Sequence, residues 1–133
     1  MEYLRAHLIR VLIDFFATDN RRIEHALRVL HHSDRLMADY PGCDVDIVIA
    51  AALLHDVGIK PSEIELGYQD GQTQEKYGPP VAEELLNSIG FPVDKIEIVK
   101  NIIGNHHSPS RYVYPELELL KAADLIVNRD EKV

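Results

Sequence analysis

The chain has 133 residues, 46% of them hydrophobic and 27% charged, which is the size and composition of one soluble globular domain. Fourteen basic and twenty-two acidic side chains give a formal net charge of -8, which argues against binding a nucleic acid polymer through a broad cationic face. The single cysteine, Cys43, excludes an intramolecular disulfide, and no apolar stretch approaches the roughly 20 residues of a membrane-spanning helix. We therefore expect a cytoplasmic protein that binds neither nucleic acid polymers nor membranes.

Apolar residues recur at helical spacing along most of the chain. The first helix is predicted over residues 4–16, the second from Arg21 to about Asp39, and the third from the N-cap Asp44 to a stop near Gly58. Further helices are predicted over residues 80–89, 93–105 and 115–128, and no segment shows the period-2 alternation of a β-strand. The predicted class is all-α, a compact helical bundle of about six helices.

The stretch between Lys60 and Pro80 has no clear periodicity and contains several glycines and a Pro-Pro pair. This composition predicts a long loop of the kind that forms a lid or a substrate wall. We assign residues 1–133 to a single domain, with an N-terminal helix over residues 1–18 and the core that carries the candidate site over residues 19–128.

The most informative pair of residues is His55 and Asp56, which directly follow the apolar run from Ile47 to Leu54. Because such a run is buried, polar side chains at its end need a partner that repays their desolvation, and a metal ion is suitable. Neighbouring helical residues point about 100° apart, so one ion can take a ligand from each, and the negative end of the helix dipole favours the cation. The alternative is that His55 caps its own helix and Asp56 begins a turn.

Two other residues are candidate ligands. Asp124 lies within an apolar segment, where a carboxylate is usually bound to metal or paired in a core salt bridge, here to Arg22 or Arg28. His25 lies on a secondary stripe of the second helix, beside its main apolar face. His32 is equally placed on geometry alone, and a structural role is the alternative for either histidine.

His106 and His107 follow the fifth predicted helix and continue its apolar stripe. Paired histidines beside core residues suit a borderline metal, and capping of the helix C-terminus is the alternative. In the loop that follows, Arg111, Tyr112 and Tyr114 are candidates for phosphate contact and base stacking, or are ordinary exposed loop residues.

Taken together, His25, His55-Asp56 and Asp124 resemble the ordered H…HD…D signature of the HD-domain metal-dependent phosphohydrolases. The resemblance covers about residues 20–128: residues 55–60, His-Asp-Val-Gly-Ile-Lys, look like the family's central HDxGxK turn, and residues 22–29 are similar to its first helix. It implies that these four side chains hold one divalent ion, Mn²⁺, Mg²⁺, Fe²⁺ or Zn²⁺. Gln74 stands where binuclear members carry an additional histidine, so a second ion at His106 and His107 is the alternative.

The resemblance also implies a reaction, the hydrolysis of a phosphomonoester or phosphoanhydride in a small nucleotide-like substrate by a metal-activated water. Asp56 would ligate the ion and orient the water, while Lys60, His106 and His107 would contact phosphate or protonate the leaving group. The rival hypotheses are a di-iron oxygenase of HD type and a non-catalytic nucleotide-sensing domain. A homodimer is also expected, because many relatives continue with further helices after the position of Asp124.

Overall fold

A computed structural model describes residues 1–132, and every regular element in that range is helical. The helices, in chain order, are α1 (Leu4–Phe16), α2 (Asn20–Leu36), a 3-10 helix (Met37–Asp39), α3 (Val45–Leu54), α4 (Ile59–Leu66), α5 (Gly71–Ser88), α6 (Val93–Ile103) and α7 (Pro115–Glu131). The structure confirms the all-α helical bundle, with seven α-helices where about six were expected. None of these helices is both long enough and apolar enough to cross a membrane.

Helix α3 lies at the centre of the bundle and packs against α1, α2, α6 and α7. Every residue from Ile47 to Leu54 is buried, as expected for a helix that is apolar on all sides. The predicted N-cap is confirmed, because the Asp44 side chain accepts hydrogen bonds from the backbone N–H groups of the first turn. The C-terminal end of α3, which leads into His55, is therefore placed in the protein interior.

Helices α2 and α7 pack against each other beside that end of α3. The Asp19 side chain caps α2 by accepting a hydrogen bond from the backbone N–H of Arg22, at 3.3 Å. Helix α7 begins with Pro115 at its first position and continues to Glu131, three residues beyond its predicted end. This packing brings His25 of α2 and Asp124 of α7 to the same side of α3.

The long loop predicted over residues 60–80 is wrong, because two helices occupy most of this stretch. Helix α5 begins with a capping box in which Asp70 Oδ1 accepts from the backbone N–H of Thr73 and the Asp70 N–H donates to Thr73 Oγ1. Its Pro79 and Pro80 lie inside the helix. The cap and the packing against α6 stabilise α5 despite its glycines and prolines.

The turn after α3 lies directly against α5 through two glycines. A Cβ atom at Gly58 would lie 2.6 Å from the backbone nitrogen of Gly78, and a Cβ at Gly78 would lie 2.7 Å from Ile103 Cγ2. Only glycine allows two backbones to approach this closely. The contact fixes the turn that follows His55 and Asp56 against the helix that carries Gln74.

Candidate metal centre

Four predicted ligands converge on one point, from α2 (His25), the end of α3 (His55 and Asp56) and α7 (Asp124). His25 Nε2 is 3.0 Å from Asp124 Oδ1, 3.2 Å from His55 Nε2 and 3.4 Å from Asp56 Oδ2. His55 Nε2 is 3.4 Å from the same oxygens of Asp56 and Asp124. Atoms that each lie about 2.0–2.2 Å from one ion are about 3 Å from each other, so this four-ligand cluster fits a divalent metal.

The ring orientations of the two histidines also fit a metal. The Nδ1–H of His55 donates to the carbonyl oxygen of Ala52 at 2.8 Å, and the Nδ1–H of His25 donates to the Glu131 carboxylate at 3.0 Å. With the proton on Nδ1, each Nε2 presents a lone pair to the other ring. Two lone pairs at this distance repel each other unless a cation lies between them.

The pKa values in the four-ligand cluster show how strongly it favours positive charge. Burial is the largest influence on His55 and lowers its pKa, but the negative charges of Asp56 and Asp124 outweigh it and raise the pKa to about 9. Burial likewise acts to raise the pKa of Asp56, but His55 and the neighbouring histidines lower it to about 2. Hydrogen bonds from His25 and His55 also overcome burial to lower the pKa of Asp124. Both carboxylates are therefore charged and attract a cation.

A second group, the paired-histidine cluster, consists of His106, His107 and the other oxygen of Asp56. The Nδ1–H of His106 donates to the Ile103 carbonyl oxygen at 2.6 Å, and its Nε2 is buried, has no hydrogen-bond partner and lies 3.9 Å from Asp56 Oδ1. One ligand atom from each of these three residues lies within 4.8 Å of the others. A buried, unpartnered nitrogen beside a carboxylate indicates a missing ligand, so this cluster fits a second, weaker cation site.

Gln74 stands beside the paired-histidine cluster and binds one of its members. Its side-chain oxygen accepts a hydrogen bond from His107 Nε2 at 2.6 Å, and its amide nitrogen donates to Gln69 Oε1 at 2.7 Å. The His107 ring nitrogen is therefore already engaged. An amide oxygen is also a poorer ligand for Zn²⁺ or Fe²⁺ than an imidazole nitrogen.

The structure does not bring Lys60 into either cluster. Its Nζ donates a hydrogen bond to the carbonyl oxygen of Phe15 at 2.8 Å and lies 5.3 Å from the centre of the Phe15 ring. Lys60 stands in the first turn of α4, which faces the end of α1, so its ammonium group satisfies a carbonyl of the last turn of α1. This contradicts the predicted phosphate contact of Lys60.

Three other sequence-based alternatives also fail. His32 packs beside the ring of His31 and does not join the cluster. Arg22 pairs with Asp19 and Glu63, so it does not form the core salt bridge considered for Asp124, whose partners are the two histidines.

The aromatic loop after α6 forms a different surface. Tyr112 and Tyr114 stack on each other with ring centres 5.3 Å apart and line a hollow with Pro41, away from the four-ligand cluster. Arg111 donates a hydrogen bond to the Gly104 carbonyl oxygen at 3.1 Å. The base-stacking and phosphate roles considered for these residues are not supported by their positions.

The four-ligand cluster opens into a cleft of about 240 Å³, and several residues that line it were missed by the sequence analysis. Arg21 and Asn128 each lie one helical turn from a predicted ligand, His25 and Asp124 respectively. Helical spacing from those ligands is therefore the signal that would have found them. The other missed residues are Gln69, which lies on the short connection to α5, and Glu131.

The comparisons with known proteins agree with this geometry. A family model of the HD domain matches residues 22–129, a range that contains all four ligands. The chain belongs to the HD-domain family. Its structure is similar to the crystal structure of a predicted HD superfamily hydrolase from an uncultured Thermotogales bacterium, with a TM-score of 0.69 and 25% sequence identity, over 98% of this chain and 75% of that chain. No curated protein matches the chain.

Proposed function

We propose that this HD-domain protein is a cytoplasmic metal-dependent phosphohydrolase that cleaves a phosphomonoester or phosphoanhydride of a small nucleotide-like substrate. The observation that carries the proposal is the set of four ligand atoms separated by 3.0 to 3.4 Å. The similar structure is that of a predicted hydrolase, which favours water as the nucleophile. The resemblance of the HDxGxK turn to phosphohydrolases supports phosphorus as the reacting centre.

A divalent ion held by His25, His55, Asp56 and Asp124 would supply Lewis acidity, which lowers the pKa of water and neutralises charge on phosphoryl oxygens. The chain's own residues provide the rest of the chemistry. Asp56 directs Oδ2 toward the two histidines and Oδ1 toward His106, so one carboxylate can ligate and also orient a water molecule. The unpartnered His106 Nε2 can accept a hydrogen bond from the substrate or, once protonated, donate to a leaving group.

Two cations support an anionic substrate. Arg21 lies at the edge of the cleft, at the N-terminal end of α2. Lys121 lines the adjoining hollow with His106 and His107, where its Nζ donates to the Ser108 carbonyl oxygen at 2.7 Å. Because the cleft itself contains acidic ligands, these cations and the bound metal would provide the attraction for phosphate.

The size of the cleft limits what it can enclose. A cleft of about 240 Å³ is smaller than the roughly 300–1,000 Å³ of pockets that bury a drug-sized ligand. We therefore expect a phosphoryl group and its nearest neighbours to be enclosed, while the rest of the nucleotide extends outward. A neighbouring subunit in a homodimer would be able to cover that part.

The proposal is tested by elemental analysis of the purified protein, followed by a phosphate-release screen over nucleotides and simple phosphoesters with Mn²⁺, Mg²⁺, Fe²⁺ and Zn²⁺. We expect metal-dependent release of phosphate that a chelator abolishes. The variant His55→Ala should lose both bound metal and turnover. Full activity of this variant under metal saturation would refute the assignment, and tight nucleotide binding without turnover by any metal would indicate a sensing domain.

The paired-histidine cluster favours a second candidate function, an oxygenase with two iron ions. His106, His107 and Asp56 would provide ligands for the second iron beside the first. Two irons per chain together with oxygen consumption on substrate addition would support this candidate. One ion per chain with phosphate release would exclude it.

A further inference from the structure

Glu131, the last residue of α7, contacts the side of His25 that faces away from the four-ligand cluster. His25 Nδ1 lies 3.0 Å from Glu131 Oε1 and 3.1 Å from Oε2. The corresponding nitrogens of His55 and His106 donate to backbone carbonyl groups. Among these three histidines, His25 is thus the one whose ring is held by a side chain.

We propose that Glu131 is a positioning residue that fixes the tautomer and the ring orientation of His25 for metal binding. This inference rests on the metal centre of the proposed function. A carboxylate that accepts the Nδ1 proton leaves the lone pair on Nε2 and makes that nitrogen a stronger ligand. The side chains of His25 and Glu131 are only 10% and 27% exposed, so water competes weakly for this hydrogen bond.

Helix α7 holds His25 from both sides. Asp124 and Glu131 are two helical turns apart and share one face of α7; Asp124 Oδ1 lies 3.0 Å from His25 Nε2, while Glu131 binds Nδ1. Arg28, one turn after His25 on α2, has Nη1 at 3.7 Å from Glu131 Oε2 and steadies the carboxylate. The final turn of α7 therefore belongs to the metal site, although its predicted end left Glu131 in a charged tail.

The first test is the affinity for Zn²⁺, measured by competition with a chromophoric chelator. Glu131→Ala removes the acceptor and should weaken binding by about 10- to 100-fold, the usual effect of losing a residue that orients a metal-binding histidine. Glu131→Gln keeps an oxygen acceptor and should lose less. The matched control is Asp130→Asn, which removes the same charge from the adjacent, exposed position and should leave the affinity unchanged.

The second test separates positioning from a purely structural role. In the Zn²⁺-loaded protein labelled with ¹⁵N-histidine, NMR reports the position and the solvent exchange of each ring proton. Glu131→Ala should accelerate exchange of the His25 Nδ1 proton and leave that of His55 unchanged, whereas a structural defect would lower the melting temperature without this selectivity. Unchanged Zn²⁺ affinity and unchanged His25 exchange in a folded Glu131→Ala variant would overturn the inference.

The outcomes also separate this inference from the proposed function. Loss of affinity in Glu131→Ala, with no phosphate release by the wild-type protein from any substrate, would uphold the positioning role and reject the hydrolase. A wild-type protein that binds no metal would overturn both.

Discussion

The four-ligand cluster and the paired-histidine cluster lie side by side, share Asp56 and each contain two histidines, yet they differ in how well they are prepared for a cation. The first has two carboxylates, and its measured ligand distances are 3.0 to 3.4 Å. The second has one carboxylate oxygen, borrowed from Asp56, and ligand atoms spread over as much as 4.8 Å.

The comparison teaches that histidine count alone does not make two sites equivalent. Negative charge and ligand spacing set the affinity for a divalent ion, because each carboxylate offsets part of the cost of removing the ion from water. One ring of the second cluster is also engaged by Gln74. We therefore expect one tightly bound ion at the four-ligand cluster and weaker binding beside it.

The largest expected effect comes from removing charge from the four-ligand cluster. Asp56→Asn should lower metal affinity by more than about a hundredfold, since loss of a direct ligand exceeds the 10- to 100-fold effect of losing a residue that orients one. His107→Gln should leave the tightly bound ion in place. Isothermal titration calorimetry with Mn²⁺ or Zn²⁺ measures both, and equal losses in the two variants would contradict the ranking of the clusters.

The second prediction strengthens the weaker cluster. Gln74→His replaces the amide beside His107 with an imidazole, which is a better ligand for borderline metals. We expect a second ion per chain in elemental analysis, with the affinity of the first ion unchanged. The control is Gln74→Glu, which adds charge without nitrogen and should favour Mn²⁺ over Zn²⁺ at that position. A stoichiometry that stays at one ion in both variants would show that the paired-histidine cluster cannot close around a cation.

The third prediction concerns pH and the metal-free protein. The pKa of His55 is raised from 6.5 to about 9, so protonated His55 stabilises the metal-free fold fully below pH 6.5, and this stabilisation is lost as the pH rises through about 9. The melting temperature should therefore fall by several degrees over this window. In the metal-loaded protein the ion replaces the proton, and the fall should be absent. A metal-free protein that becomes more stable over the same window would contradict this sign.

The smallest effect is expected outside both clusters, at Lys60. Lys60→Met keeps the aliphatic stem over Phe15 and loses the hydrogen bond to its carbonyl, which should cost about 1 kcal/mol of unfolding free energy. Denaturant unfolding measures this cost. We expect kcat/KM to be unchanged, and a substantial loss of kcat would restore Lys60 to the catalytic machinery.

The sequence predicted those parts of the fold that depend on local signals. Helix α1 and the start of α3 follow from apolar periodicity and from the Asp44 cap, and both are confirmed. Helix α5 was missed because Gly71, Gly78 and the two prolines suggest a loop, whereas its capping box and its packing against α6 favour a helix. The capping signal was present in Asp70 and Thr73 but was outweighed in the analysis by the helix-breaking residues.

The candidate site was predictable only where a family pattern supplied the long-range information. The resemblance grouped His25, His55, Asp56 and Asp124 before any contact between them was known. The contact of Glu131 with His25 spans 106 residues and depends on how α2 packs against α7, which no local pattern encodes. Lys60 failed for the same reason, because its position in the HDxGxK turn does not reveal that α4 directs it toward Phe15.

The glycine contact between the turn after α3 and α5 bears on how new chemistry can arise in this scaffold. Because Gly58 and Gly78 touch through their main chains, the spacing between Asp56 and residue 74 is independent of the side chain that residue 74 carries. A single codon change at position 74 can therefore alter the number of ions bound without moving the first ion. In contrast, a methyl group at position 58 would push the two segments apart and disturb both clusters at once.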